Sequence, residues 1–285
     1  MYSKSRTEKL KNEDACLADD KFLIVCDGAS SLSKINHLDP ISDAAWFSHF
    51  LTREIAKQND DARSLSDLLA DLCRQARDLY PPAPEEDMPS AAIAILRRND
   101  RTEQFDWLVL GDCTLLMEIE EPDDEPDQEK EDRILCVRDE SIAAFDDLAI
   151  SQMQRLAKQK HEPLLAQRPF VHEILTRNRS LKNKPDGYAI ADLTDAWQGM
   201  ERSGSIPISS LKRAALFSDG FLQLQEFRNL DNAAFLETIF ADPEKAMDDL
   251  YELQEQDAAC ERLPRLKKRD DTTLVTYSSP GQHLV

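Results

Sequence analysis

The run Phe22-Leu23-Ile24-Val25-Cys26-Asp27-Gly28 is apolar for five residues and then breaks on an aspartate and a glycine. Five apolar residues closed by a turn pair are too few for a helix and suit a strand buried on both faces. The same ending recurs. Leu108-Val109-Leu110 runs into Gly111-Asp112, and the apolar segment 211–217 runs into Ser218-Asp219-Gly220. Only seven glycines occur in 285 residues, and three of them stand beside these aspartates. A further strand-like run, 272–277, starts directly after Asp270-Asp271, and Glu13-Asp14 precede the first. Taken singly, Asp-Gly after a strand is an ordinary turn. Taken together, neighbouring antiparallel strands would carry these carboxylates to one rim. There they would repel each other and raise their own pKa values unless cations neutralised them. An all-oxygen donor set without His or Cys selects Mg2+ or Mn2+.

Outward from these strands the pattern alternates between helices and short strands. Asp39-Pro40 reads as an N-cap with proline in the first turn, opening a helix with Ile41, Ala44, Ala45, Phe47, Phe50, Leu51 and Ile55 on one face. A second helix runs from Ser64 with Leu65, Leu68, Leu69, Leu72, Ala76 and Leu79 as its stripe, and Pro81, Pro82 and Pro84 stop it. Segments 91–96, 105–110, 114–119 and 133–137 have strand character, and their short connections predict an antiparallel meander, the last two joined by an acidic loop. Residues 143–181 are helical in pattern, 187–191 a short strand, and the chain is then irregular to Ser210. Two helices follow 211–217, the second capped by Asp242 before Pro243. Helices between strand groups, without strict βαβ alternation, predict an α+β fold.

Composition narrows the partners. Lys and Arg number 35 against 55 Asp and Glu, a formal net charge of −20, which opposes broad binding to nucleic acid or an anionic membrane. Residues 118–132 hold ten acids and one lysine and read as a solvated hairpin loop. Arg262, Arg265, Lys267, Lys268 and Arg269 lead into Asp270 and read equally as a solvated face or as an attraction for a phosphorylated substrate. No apolar run reaches the roughly 18 residues of a membrane span, and the N-terminus lacks the apolar core of a secretory signal. Six scattered cysteines without a C-x-x-C pair read as reduced thiols of a cytoplasmic protein. The five histidines show no ligand spacing, and Trp46, Trp107 and Trp197 read as packing residues.

In this order the motifs resemble those of the metal-dependent protein phosphatases of the PP2C (PPM) family, as a bacterial member. Asn12-Glu13-Asp14-Ala15 is similar to the family's opening acidic motif, Val25-Cys26-Asp27-Gly28 to its central Asp-Gly and Gly111-Asp112-Cys113 to its Gly-Asp-Ser. Phe217-Ser218-Asp219-Gly220 is similar to its Ser-Asp-Gly, and Asp270-Asp271-Thr272-Thr273 to its closing Asp-Asn/Asp-x-Thr.

The resemblance covers nearly the whole chain and implies one domain over 1–285: a four-layer αββα sandwich of two antiparallel β-sheets flanked by helices. It implies a binuclear Mn2+ or Mg2+ centre, with Asp27 bridging the ions, the Gly28 carbonyl binding one, and Asp219 and Asp270 completing the other. Asp27, Asp219 and Asp270 are thereby the expected catalytic residues. Glu13 and Asp14 are expected to ligate directly or through waters, and Asp112 to recruit a weaker third ion. The implied reaction is hydrolysis of phosphoserine or phosphothreonine on a protein by a metal-bridging water, carried out by a cytoplasmic monomer with no nucleic-acid or membrane partner.

Several residues depart from the family pattern. Lys9 stands in place of a phosphate-binding arginine, offering a point charge instead of a bidentate fork. Ala29-Ser30-Ser31 provides no histidine for the leaving group, and Gln223 replaces an acidic supporter of the third ion. The family's first strand is expected to be short or absent, and segment 143–210 to form a flap over the substrate groove. Two other readings stay open at this point: a catalytically silent protein of the same fold that binds a phosphorylated or regulatory partner, and a phosphatase for a small phosphorylated metabolite.

Overall fold

The computed structural model describes residues 1–33, 35–120 and 132–280. Most of the acidic stretch 118–132 therefore lies outside the described residues. In chain order the strands and helices are β1 (Tyr2–Arg6), β2 (Asp14–Ala18), β3 (Phe22–Gly28), α1 (Asp43–Ala56), α2 (Leu65–Leu79), β4 (Ser90–Asn99), β5 (Gln104–Leu110), β6 (Thr114–Glu120) and β7 (Asp132–Val137). They continue with α3 (Ser141–Lys160), α4 (His172–Arg179), β8 (Ala191–Asp192), β9 (Arg202–Pro207), β10 (Leu211–Phe217), α5 (Asp219–Arg228), α6 (Asn232–Ala241), α7 (Pro243–Gln256) and β11 (Thr272–Ser278). A 3-10 segment, Leu164–Val171, leads into α4.

Two antiparallel sheets result, one in the order β1-β11-β10-β6-β7 and the other β2-β3-β4-β5-β9, with β8 pairing β4. The period-two alternation of strand side chains builds four layers from them. Leu23 and Val25 of β3 meet Leu115, Met117, Leu216 and Val275 between the sheets. Phe22, Ile24 and Cys26 point the other way, into α1 and α2, with Phe47, Leu51, Leu69 and Leu72. On the far side Leu116, Phe217 and Leu274 pack under Phe221, Phe235, Ile239 and Leu250 of α5, α6 and α7. A buried run such as β3 is apolar throughout because each of its faces looks into a different core. The expected αββα sandwich is what the chain forms.

The structure corrects several local expectations. The first helix starts at Asp43 with Ser42 as its N-cap, not at Pro40, because the Asp39 side chain accepts from the Ile41 and Ser42 amides at 2.9 and 3.1 Å and closes a separate turn. Ile41 is consequently exposed, as is Leu79 at the end of the second stripe. The meander is broken, for β5 and β6 belong to different sheets. Gly111 makes that crossing at φ 81°, a left-handed conformation that favours glycine. Strand β9 occupies part of the stretch read as irregular; it is an edge strand with mostly exposed polar residues and so carries no apolar signal. Asp14 opens a strand of its own, and three helices in place of two precede β11, whereas β1, expected to be short or absent, is a short strand of five residues paired with β11.

Segment 141–179 stands apart from these layers. Ala149, Met153, Val171 and Leu175 of α3 and the α4 region close a small core of their own with Cys260. Trp197 is fully buried and packs as expected. Among the described residues no helix is long and apolar enough to cross a membrane.

Candidate active site

The hairpin of β2 and β3 sets Asp14 directly opposite Asp27. Strand β10 is followed by Ser218, whose hydroxyl accepts from the Thr273 amide at 3.0 Å while its own amide donates to the Thr273 carbonyl at 3.1 Å. That reciprocal pair locks the start of α5, where Asp219 sits in the first turn, beside the entry to β11, where Asp270 sits. The N-terminus of α5 favours a negative charge at Asp219. Asp112 follows Gly111 at the crossing between sheets. Asp27, Gly28, Asp112, Asp219 and Asp270 all line one groove of about 1520 Å3 at this end of the sandwich. The strand-end carboxylates read from the sequence therefore converge.

Their electrostatics show how closely. Burial pushes the Asp27 carboxyl well above its usual range, reinforced by Asp14, Asp219, Asp112 and Asp270. Burial and then Asp219 do the same to Asp112, and burial and then Asp270 raise Asp219. Asp14 is raised to about 7 by burial, with Asp271 and Asp270 adding to it. Asp270 is the exception: burial would raise it, but Lys267 and then Lys9 outweigh that and hold it below the ordinary value. The Lys267 ammonium contacts both Asp270 carboxylate oxygens, at 2.8 and 2.7 Å.

The chemistry of this set suits a hard divalent cation. Every side-chain donor is a carboxylate oxygen, the groups repel one another, and Asp14 Oδ1 is sealed from solvent with no hydrogen-bond partner among the described residues, a costly state for a buried acceptor. The geometry is less complete. Among the described residues no three His, Cys, Asp or Glu side chains are arranged to hold a metal ion, and Asp270 is already gripped by Lys267. The residues thus fit such an ion by donor type and charge.

Two expected site residues face elsewhere. Glu13 is buried with both carboxylate oxygens taken, one by Ser42 at 2.7 Å and the other by Lys9 and Ser30. Its carbonyl accepts from Ser48 and from the Gly28 amide, which makes it a brace under the Asp27-Gly28 turn. A Cβ on Gly28 would lie 2.6 Å from that carbonyl oxygen, so the close approach requires glycine. Lys9, read as a phosphate ligand, is committed to Glu13 and to Asp271 at 2.9 Å, also pairs with Asp270 at 3.7 Å, and is absent from the groove wall. The basic run before Asp270 is also largely committed: Arg265 pairs with Asp257, Lys267 with Asp270, and Lys268 and Arg269 with Glu255.

The groove contains residues that the sequence reading did not single out. Asp146 of α3 is raised to about 6, by burial and then by Asp219. Arg168, Arg179 and Tyr188 also line the wall. Their only signal in sequence was membership of segment 143–210. Gln223 reaches the groove too, with its amide oxygen accepting from Gln254 at 3.0 Å. All six cysteines are free, and burial raises the Cys26 and Cys113 thiols well above their usual value, as expected for packing residues.

Compared by sequence, the chain matches no family model and no curated protein. Compared by shape, it is similar to the PPM Ser-Thr phosphatase MsPP from Mycobacterium smegmatis, in complex with cacodylate, at 17% identity over 97% of each chain with a TM-score of 0.49. It is similar to the serine/threonine phosphatase Stp1 from Staphylococcus aureus at 13% identity, over 98% of this chain and 94% of that one, with a TM-score of 0.49. It is also similar to PppA, a key regulatory component of T6SS in Pseudomonas aeruginosa, at 15% identity over 98% and 96%, with a TM-score of 0.47. These are likenesses of overall shape at low identity.

Proposed function

We propose that this protein is a metal-dependent phosphatase, a single domain over 1–285 that hydrolyses phosphoserine or phosphothreonine on bacterial cytoplasmic proteins as a monomer. The observation that carries this reading is the convergence of Asp27, Asp112, Asp219 and Asp270 on one groove, each from a different strand end. Asp27, Asp219 and Asp270, with the Gly28 carbonyl, would hold two Mn2+ or Mg2+ ions, Asp14 would support them, and Asp112 would serve a weaker third. Bound there, such ions neutralise phosphoryl charge and lower the pKa of water toward neutrality.

The chain's own residues do the rest. Glu13, held by Ser42, Ser30 and Lys9, fixes the turn that presents Asp27. Lys267 keeps Asp270 ionised. Asp146 holds a carboxyl proton in the groove wall up to about pH 6. Segment 143–210, which carries α3 and α4 along the groove, is read as a flap over the substrate. A groove of about 1520 Å3 exceeds the roughly 300–1,000 Å3 of small-molecule sites, which favours a protein segment over a small metabolite.

Two observations favour a second reading, a catalytically silent protein of this fold: Lys267 already neutralises Asp270, and among the described residues no three carboxylates are set for a metal. Calorimetric titration with Mn2+ separates the two. The enzyme reading expects about two ions bound per chain with sub-millimolar affinity, and the silent reading expects no binding heat.

A further inference from the structure

Two arginines in the groove wall form no salt bridge among the described residues. Arg168 lies in the 3-10 segment before α4, and its Nε is sealed from solvent without a hydrogen-bond partner among the described residues. Arg179, at the last turn of α4, donates one long bond from Nη2 to the Ser30 carbonyl at 3.3 Å and also contacts the Tyr188 side chain. Other cations of the groove are occupied, Arg138 by Glu140, Arg265 by Asp257 and Lys267 by Asp270. His172 stands between the two arginines, and all three side chains line the same cavity. Leu165 and Leu175 flank them there.

This row has a direction. Arg179 is the end beside the carboxylate cluster, since its charge is felt by Asp146 and Tyr188, which in turn feel Asp219 and Asp112. Arg168 is the outer end. With a rise of about 1.5 Å per residue in the helix and about 2 Å in the 3-10 turn, the two guanidinium-bearing positions lie about 18 Å apart along the segment. An extended peptide covers that distance in about five or six residues. On a chain of net charge −20, two arginines outside any ion pair among the described residues, beside an apolar floor, are complementary to an acidic ligand.

We propose that this row is the substrate-recognition strip: it binds a phosphorylated peptide in extended form, with acidic residues on one side of the phosphoresidue running from Arg179 past His172 to Arg168. The strip rests on the phosphatase reading for the position of the phosphoresidue, but binding can be measured without turnover. Arginine is suited to the task because its planar fork takes a carboxylate in two hydrogen bonds.

The test uses the full chain and three fluorescein-labelled phosphoserine peptides, identical except that the flanking positions are glutamate, glutamine or lysine. Fluorescence anisotropy at low ionic strength is expected to show the glutamate peptide binding at least about tenfold tighter than the glutamine one, the preference shrinking with added salt. Arg168→Glu is expected to remove that preference and to bind the lysine peptide more tightly than wild type does, a gain that a misfolded protein cannot produce. Equal affinity for the glutamate and glutamine peptides, no binding of either, or a preference untouched by Arg168→Glu would overturn the proposal. Turnover of the same peptides reports separately on the phosphatase reading: acidic preference in binding without hydrolysis leaves the strip standing and removes the enzyme.

Discussion

Asp27→Asn is expected to lower phosphate release by on the order of a thousandfold while making the metal-free protein more stable. The first effect follows from losing a carboxylate proposed to hold the ions; several kcal/mol of transition-state charge stabilisation corresponds to about that factor. The second follows from the same crowding. Asp27 is held near Asp14, Asp219, Asp112 and Asp270, so a neutral amide of the same shape relieves repulsion and the cost of burying its charge. The sign can be worked out for Asp14 and Asp146, whose carboxyls are raised from 3.8 to about 7 and about 6. Between about pH 4 and 7 the folded chain keeps protons that the unfolded chain has released, so the metal-free protein loses stability as pH rises through that window. In EDTA, therefore, the wild-type melting temperature should fall from about pH 5 to pH 8, and Asp27→Asn should melt a few degrees higher at the upper end. Saturating Mn2+ should reverse the order. A variant that hydrolyses like wild type, or that melts lower in EDTA, contradicts the assignment of Asp27.

The second large effect concerns a residue remote from the carboxylate cluster. Asp257, just beyond α7, is buried and accepts from the Glu261 and Arg262 amides at 2.9 Å, the Leu263 amide at 3.2 Å and Arg265 Nη1 at 2.6 Å. Arg265 is itself buried and also donates to the Asp257 carbonyl at 2.9 Å. Burial would raise the Asp257 pKa, but the amides and the guanidinium outweigh it and hold the carboxyl below its ordinary value. This one side chain thus folds the loop that delivers Lys267 and Asp270 to the groove. Asp257→Ala leaves a buried guanidinium unpaired and is expected to cost about 3–5 kcal/mol, read as a shift in the urea midpoint. Asp257→Asn should cost less, since it can still accept from the amides, and because a depressed carboxyl stabilises only while ionised, its deficit should narrow as pH falls below about 4. A loss under about 1 kcal/mol for the alanine variant would show that the loop is held by other contacts.

What the sequence made legible was the part of the fold written in apolar runs and the part of the site attached to their ends. Residues 22–28 declare a strand buried on both faces because two cores need them, and Asp27 follows from where that run stops. Strand β9 was not legible, since an edge strand with polar residues on both faces resembles a loop. The break between β5 and β6 was hidden for a different reason: Gly111-Asp112 looks like a tight turn, and only the packing of Leu110 toward α2 and of Leu115 between the sheets assigns the two strands to different layers. Lys9 and Glu13 sat in a suggestive motif, yet their charges are used internally, which spacing does not reveal. Asp146, Arg168 and Arg179 come from helices whose pattern fits ordinary packing, and it takes the fold to show which of their faces meets the groove.

The central claim is that the strand-end carboxylates form a divalent-cation site for phosphate-ester hydrolysis. Its most direct test is release of inorganic phosphate from a phosphoserine peptide by the purified full chain, with Mn2+ and with EDTA. Steady release in Mn2+ is expected, abolished by EDTA and removed by Asp219→Asn. No release in Mn2+, or release that continues in EDTA, would contradict it.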